Sequence, residues 1–278
     1  MNTPLAPGLY VVATPIGNLG DLSPRAAETL RNADLVLAED TRVTGKLLAH
    51  AKAKVSMRRY DDHSTDRDRA EIIEQLANEA VALVSDAGTP LISDPGYKLV
   101  RAARAAGQPV QTVPGPCAAV AALTLAGLPT DRFLFAGFLP SKAKARADTI
   151  AELASIRATL IFYESGPRLA DSLAALADGL GDREAAVARE ITKLHEECVT
   201  GSLSELVTRY SDASPKGEIV IVVGPPPEQP EATEADLDSA LREALGRLSP
   251  SRAAAEVAQR LGVPKKRAYA RALELVPG

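Results

Sequence analysis

VSDAGTPLISDPGYKLV, residues 84–100, compresses a strand end, a loop of bare backbone and a helix start into one run whose grammar the rest of the chain repeats. The residues leading into it, Val81-Ala82-Leu83-Val84, are apolar, β-branched at both ends and free of polar alternation. That is the pattern of a strand buried on both faces of a parallel sheet. Ser85-Asp86 stop the strand, and Ala87-Gly88-Thr89-Pro90 bring small side chains and a glycine, so that main-chain groups can meet a ligand directly. Ser93-Asp94-Pro95-Gly96 read as a helix start, with Ser93 or Asp94 as the cap and Pro95 at the first helical position. Open α/β sheets bind ligands outside the carboxyl ends of their strands, which puts Asp86 where a ligand's hydroxyl or ammonium groups arrive. An ordinary strand-loop-helix connection with polar caps would use the same residues.

Three further units follow the same plan. Residues 9–14 (LYVVAT) end in a loop, 15–21 (PIGNLGD), before Ser23-Pro24 start a helix. Residues 35–38 (LVLA) run into Glu39-Asp40-Thr41-Arg42 and a helix to about His50, and 110–113 (VQTV) run into Pro114-Gly115-Pro116 and an apolar helix over 117–125. Residues 67–80 carry Ala70, Ile73, Leu76, Ala77 and Ala80 at helical spacing, which predicts an amphipathic helix leading into the organising strand. Four strands, each followed by a tight turn and a helix, describe a mostly parallel sheet whose turns share one edge, and that edge is the expected cleft. The first loop lacks GxGxxG, so a dinucleotide-binding reading is unsupported. After Gly127-Leu128-Pro129 a second set begins: strands at 133–138, 159–163, 185–189, 197–201 and 218–223, expected to form a second, mixed sheet. The expected domains are 1–118 and 119–226.

The chain has 278 residues, enough for two packed cores and an appendage. Its apolar runs are shorter than the roughly 18 residues of a membrane span, and the start, MNTPLAPGLY, has no basic segment followed by an apolar one, so a soluble cytoplasmic protein is expected. Cys117 and Cys198 match no metal or redox spacing and read as free thiols. His50, His63 and His195 fall in no metal or triad spacing, and Ser165 sits outside GxSxG, reading instead as a cap before a helix. No metal site is expected.

The net charge of −4 is unevenly spread: residues 237–278 hold eight Lys and Arg against four Asp and Glu. A polar, proline-rich stretch, GPPPEQPE at 224–231, separates this tail from the rest. Within it, 251–275 read as two helices joined at Gly262-Val263-Pro264, the second carrying Lys265, Lys266, Arg267 and Arg271. This resembles a small all-α helix-turn-helix domain over 237–278 that contacts nucleic acid; a helical hairpin used for packing or dimerisation fits the same pattern.

The ordered series LYVVATPIGNLGDLSPRA, AEDTR, SDAGTPLISDPGYKLV, VPGPCAA, GFLP, FYESGPR, ARE.TK..EE and KGEIVIVV resembles the tetrapyrrole methylase superfamily, in the branch that methylates a cytidine 2′-oxygen of bacterial small-subunit ribosomal RNA. The resemblance covers residues 9–224, and the tail is similar to that branch's C-terminal domain. It implies two α/β methylase domains with S-adenosylmethionine in the cleft between them, a homodimer, and 16S ribosomal RNA or the small subunit as partner, the target being the decoding-region cytidine 1402. Carried over by motif, the cofactor contacts would be Ile16, Asp86, Gly88, Thr89, Cys117, Ala118, Tyr163 and Ile219. Glu190 and Lys193, three apart in ARE.TK, would serve as base and alkoxide-stabilising cation, with Arg189, Glu39 and Arg42 as neighbours; an inter-domain or dimer ion-pair network is the competing reading. Arg58, Arg59, the basic loop Lys142, Lys144 and Arg146, and Lys265, Lys266 and Arg267 would contact RNA. A tetrapyrrole methylase acting on a small molecule, and a non-enzymatic nucleic-acid-binding regulator, are the rival functions.

Overall fold

Short apolar strands with small or β-branched residues form two separate sheets in the computed structural model, which describes residues 4–211, 215–227 and 233–275. The first sheet takes β1 (Gly8–Val12), β2 (Leu35–Ala38), β3 (Ser56–Arg59), β4 (Ala80–Leu83) and β5 (Val110–Val113) in the order β3-β2-β4-β1-β5, and every pairing is parallel. β4 is central and fully buried, as its unbroken apolar run requires. The helices α1 (Pro24–Asn32) and α2 (Thr41–Ala51) close one face through Ala26, Leu30, Leu47 and Leu48; α3 (Asp66–Gln75), with its C-cap Leu76, and α4 (Tyr97–Ala105) close the other through Ile72, Leu76, Leu99 and Ala103.

Four local readings change. β3 carries Arg58 and Arg59 as an edge strand that the sequence did not announce, because SMRR has little apolar signal. α3 stops at Gln75: residues 76–79 turn, and Ala80 becomes a strand residue whose N–H donates to Asp34 Oδ2 at 2.8 Å. α4 begins at Tyr97 rather than Pro95. Gly96, at φ 128°, is its cap, and a Cβ there would stand 2.8 Å from Leu83 Cδ2, so the chain can turn under the sheet only with glycine. Ser93, at φ 62°, caps nothing.

The second sheet is mixed. It takes β6 (Phe133–Phe138), β7 (Thr159–Ser165), β8 (Glu184–Arg189), β9 (Glu197–Ser202) and β10 (Glu218–Val223) in the order β6-β7-β10-β8-β9, with only β6 and β7 parallel. α5 (Ala118–Leu125) packs on one face with Ala119, Ala122 and Leu123 against Ile161, Ala188 and Val220. α6 (Ala143–Leu153), α7 (Leu169–Leu180) and α8 (Leu203–Tyr210) cover the other, around Phe162, Leu173 and Ile221. Lys144 and Arg146 therefore lie in the first turn of a helix, with Lys142 at its N-cap, rather than in a loop. Ser165 makes no capping hydrogen bond; its N–H and hydroxyl donate to Glu164 Oε1 instead.

The chain divides into two compact units, Met1–Pro226 and Pro227–Gly278. The second contains α9 (Glu234–Leu245), α10 (Pro250–Leu261) and α11 (Lys265–Leu275), closed around Leu237, Leu241, Val257 and Ala268. α9, begun by a Thr233–Asp236 capping box, was not read from sequence; the turn at Gly262, in the left-handed region, falls where expected. The 228–231 part of the proline-rich stretch lies outside the described residues.

Candidate active site

The carboxyl edge of the first sheet and the strand ends of the second enclose a cavity of about 410 Å³, within the range of small-molecule sites. The loop after β4 supplies most of one wall: Asp86, Ala87, Gly88, Thr89, Ile92, Ser93 and Asp94. It is pinned to the loop after β1. Thr14 and Gly88 exchange main-chain hydrogen bonds of 2.8 and 3.1 Å, and Gly88, at φ 80°, holds its α-carbon so close to Ile16 that a Cβ would lie 3.2 Å from Ile16 Cγ2. Thr89 Oγ1 donates to the Pro116 carbonyl at 2.9 Å, tying in the loop after β5. Ile16, Ala118, Tyr163 and Ile219 line the remaining wall with Phe138. Tyr163 stands edge-on to Phe135 and Phe138, and its hydroxyl accepts the Ala119 N–H at 3.2 Å. Burial, then the nearby Cys117, keep that phenol protonated. Cys117 itself packs behind the wall, beside Tyr163.

Three carboxylates the loops bring together, Glu39, Asp86 and Asp94, share this cavity, and none is in an ion pair among the described residues. Asp86 accepts the Asp40 N–H at 3.0 Å. Burial pushes the Asp94 carboxyl up to about 6, with Asp86 and Asp62 adding to the shift and the Ser85 hydroxyl opposing it. Glu39 is raised by burial and by Asp94 and Asp86. A set of acids that repel one another in a half-buried space is relieved by a cationic ligand. Glu164, also at the wall, is buried and saturated: it accepts from Ser165 N–H, from Ser172 Oγ at 2.6 Å and pairs with Arg168. It braces the loop after β7.

Beside the cavity, Lys193 Nζ lies 3.0 Å from both Glu190 and Glu218, of which Glu218 lines the cavity. Burial by itself would lower the ammonium, but the hydrogen bonds to Glu190 and Glu218 outweigh it and raise its pKa, so Lys193 stays a cation. Chiefly through the Lys193 hydrogen bond, Glu190 is held below the usual range. Two glycines make room for the pair. A Cβ on Gly17 would meet the Lys193 stem at 2.5 Å, and one on Gly217 would meet Glu190 Oε1 at 2.1 Å. The loop that presents them is strained, with Glu190 at φ 48° and Thr192 at φ 65°, an outlying value for a β-branched residue, and the Thr192 hydroxyl is buried without a partner. Of the expected neighbours, Glu39 reaches the cavity; Arg189 is taken by Glu197 at 2.6 Å, and the exposed Arg42 folds back on Asp40.

Among the described residues no group of three or more His, Cys, Asp or Glu is arranged to hold a metal ion, and no helix is long and apolar enough to cross a membrane. Sequence reasoning singled out Asp86 and Gly88 but gave Asp94 only a capping role and Glu164 and Glu218 no role. The one available signal for Asp94 was its place three residues before a helix, which capping explained equally well.

The family model of the tetrapyrrole (corrin/porphyrin) methylases matches residues 8–207, and the model of the RsmI C-terminal HTH domain matches residues 231–276. A ribosomal RNA small subunit methyltransferase I from Erythrobacter litoralis is 60% identical over 98% of this chain and 96% of its own length, and one from Mesorhizobium japonicum is 48% identical over 98% and 93%. The uroporphyrin-III C-methyl transferase of Thermus thermophilus, complexed with S-adenyl homocysteine, shares the fold at a TM-score of 0.55 and 20% identity, over 78% of this chain and 97% of that one. The chain belongs to the ribosomal RNA small subunit methyltransferase I family.

Proposed function

We propose that this protein methylates the small-subunit ribosomal RNA, transferring the methyl of S-adenosylmethionine to a ribose 2′-oxygen, and that the target is cytidine 1402 of the decoding region. The likeness to the Erythrobacter enzyme, which runs through both compact units, carries the reading. Bound S-adenosylmethionine supplies an electrophilic methyl on a sulfonium that departs as a neutral thioether. The cavity suits it: Ile16, Gly88, Thr89, Ala118, Tyr163 and Ile219 offer backbone and apolar surface to the nucleoside, Cys117 stands behind them, and Asp86 and the other acids face the cation. In the step itself the oxygen–carbon bond forms as the carbon–sulfur bond breaks, and the 2′-hydroxyl proton goes to a protein base. Lys193 stabilises the developing alkoxide, Glu190 fixes its ammonium, and Asp94, the more basic carboxylate, takes the proton.

Residues 1–118 and 119–226 act as the two methylase domains. Lys142, Lys144, Lys265 and Lys266 are exposed and outside any ion pair among the described residues, so they can meet phosphates at once. Arg58, Arg59 and Arg267 must first give up Asp68 and Glu71, Asp61, and Glu234, while Arg146 has a buried Nε without a partner. A homodimer would cover α5, which is apolar except for Thr124 yet leaves Val120 and Leu125 exposed, and Leu194, 92% exposed beside Lys193. Incubation with methyl-labelled S-adenosylmethionine and unmethylated small subunits, followed by mass spectrometry of the RNA, tests the function. One labelled ribose is expected; label in a porphyrinogen instead, or none, overturns it.

A further inference from the structure

The helix that leaves the organising loop carries a surface the reaction does not use. Around α4, Leu99 and Ala103 face the sheet, and the opposite side presents Tyr97, Lys98, Arg101 and Arg104 at i, i+1, i+4 and i+7. Tyr97 is 64% exposed, and among the described residues neither it nor any of the three cations makes an ion pair or side-chain hydrogen bond. In a chain of net charge −4, where Arg42, Arg58, Arg59, Arg189 and Arg271 are each held by a carboxylate, this is no by-product of a basic composition. Of the three cations only Arg104, in the last turn, complements the helix dipole. Lys98 sits in the first turn, where the macrodipole disfavours a cation, and the first turn has neither an acidic residue nor a side-chain cap. The groove between α3 and this face has one carboxylate, Asp66, already paired with Arg69. Its near end is three residues from Asp94 in the cavity wall.

We propose that this face of α4 is the track for the single-stranded RNA flanking the target nucleotide, with Tyr97 stacking on a neighbouring base and Lys98, Arg101 and Arg104 neutralising successive phosphates. The inference rests on the RNA-methylating reading and extends it to a surface that reading does not name. A cationic row one helical turn apart, headed by an exposed aromatic ring three residues along the chain from the cavity-wall Asp94, combines the two features that hold single strands: backbone neutralisation and sequence-tolerant stacking.

The test measures binding to unmethylated small ribosomal subunits across a salt series, for the unaltered full chain, for Lys98→Ala/Arg101→Ala/Arg104→Ala combined, and for Tyr97→Ala and Tyr97→Phe. The triple variant should lose at least tenfold in affinity near physiological salt, and its log–log salt slope should fall by about 2, at about 0.7 per phosphate contact. Tyr97→Ala should lose about tenfold, and Tyr97→Phe, which keeps the ring, should restore it. Affinity for S-adenosylhomocysteine should not move in any variant, which also verifies folding. An unchanged affinity and slope in the triple variant, while the unaltered chain binds and methylates subunits, overturns this proposal and leaves the function standing. A triple variant that turns from dimer to monomer in sedimentation overturns it too, marking a subunit interface. Failure of the unaltered chain to bind or methylate subunits overturns the function itself.

Discussion

In the proposed mechanism Lys193 and Asp94 divide two jobs that the resemblance would give to the ARE.TK motif. A lysine held between two carboxylates at 3.0 Å cannot accept a proton near neutral pH, and Glu190, held low by that lysine, is a poor base. Lys193→Ala is therefore expected to lower the single-turnover methyl-transfer rate about a hundredfold while S-adenosylhomocysteine affinity, measured by calorimetry, stays within about threefold. Equal losses in both would remove Lys193 from the chemistry. Asp94 gives a pH signature with opposite signs for activity and stability. As a base it works ionised, so kcat/KM should fall as pH drops through about 6, and Asp94→Asn should abolish that limb. For stability, the folded-state pKa lies above the ordinary 3.8, so the folded protein holds the proton more tightly than the unfolded chain between those values. The Asp94 contribution to stability is then greatest below about 3.8 and declines as pH rises from there to about 6. Asp94→Asn should accordingly raise Tm at pH 7 relative to the unaltered chain, and a lowered Tm would mean that Asp94 is satisfied by partners rather than strained.

At the scale of elements, the loops matter more than the strands that carry them. Gly217, at φ 100°, allows β10 to start against the Glu190 carboxylate, where a Cβ would come within 2.1 Å of Oε1. Gly217→Ala should therefore displace Glu190, cost about 1–3 kcal/mol of stability in denaturant titration, and reduce the methyl-transfer rate as Lys193→Ala does. A variant of unaltered rate would show that the Glu190–Lys193 pair need not be held in place. These loops also mark the limit of what could be read from the chain. Strands such as LVLA and EIVIVV announced themselves because burial on both faces demands unbroken apolar residues, whereas SMRR did not, since an edge strand with exposed side chains has no such demand. Asp86 and Gly88 were legible from small residues after a strand. Asp94, Glu164 and Glu218 were not, because their meaning comes from elements over a hundred residues apart in the chain meeting at one cavity, and no local pattern encodes that meeting.

At the scale of the molecule, the chain separates a unit that has the cavity from one that has none of its residues. The second unit has its own closed core and internal ion pairs, Arg267–Glu234 at 2.7 Å and Arg271–Asp238 at 2.6 Å, so its fold does not draw on cavity residues. Those pairs also consume half of the basic helix: of the four cations on α11, Lys265 and Lys266 are outside any ion pair among the described residues. Ending the chain at residue 227 should thus leave S-adenosylhomocysteine affinity unchanged, because every wall of the cavity remains. It should weaken binding to small subunits and reduce the slope of log affinity against log salt by about 3, the share of the four tail cations outside any ion pair among the described residues (Arg242, Arg252, Lys265 and Lys266), rather than the larger fall that the tail's eight basic residues would suggest. A slope change of four or more would mean that Arg267 and Arg271 abandon their carboxylates on α9 for phosphate when RNA arrives. Unchanged binding would take the second unit out of RNA recognition altogether.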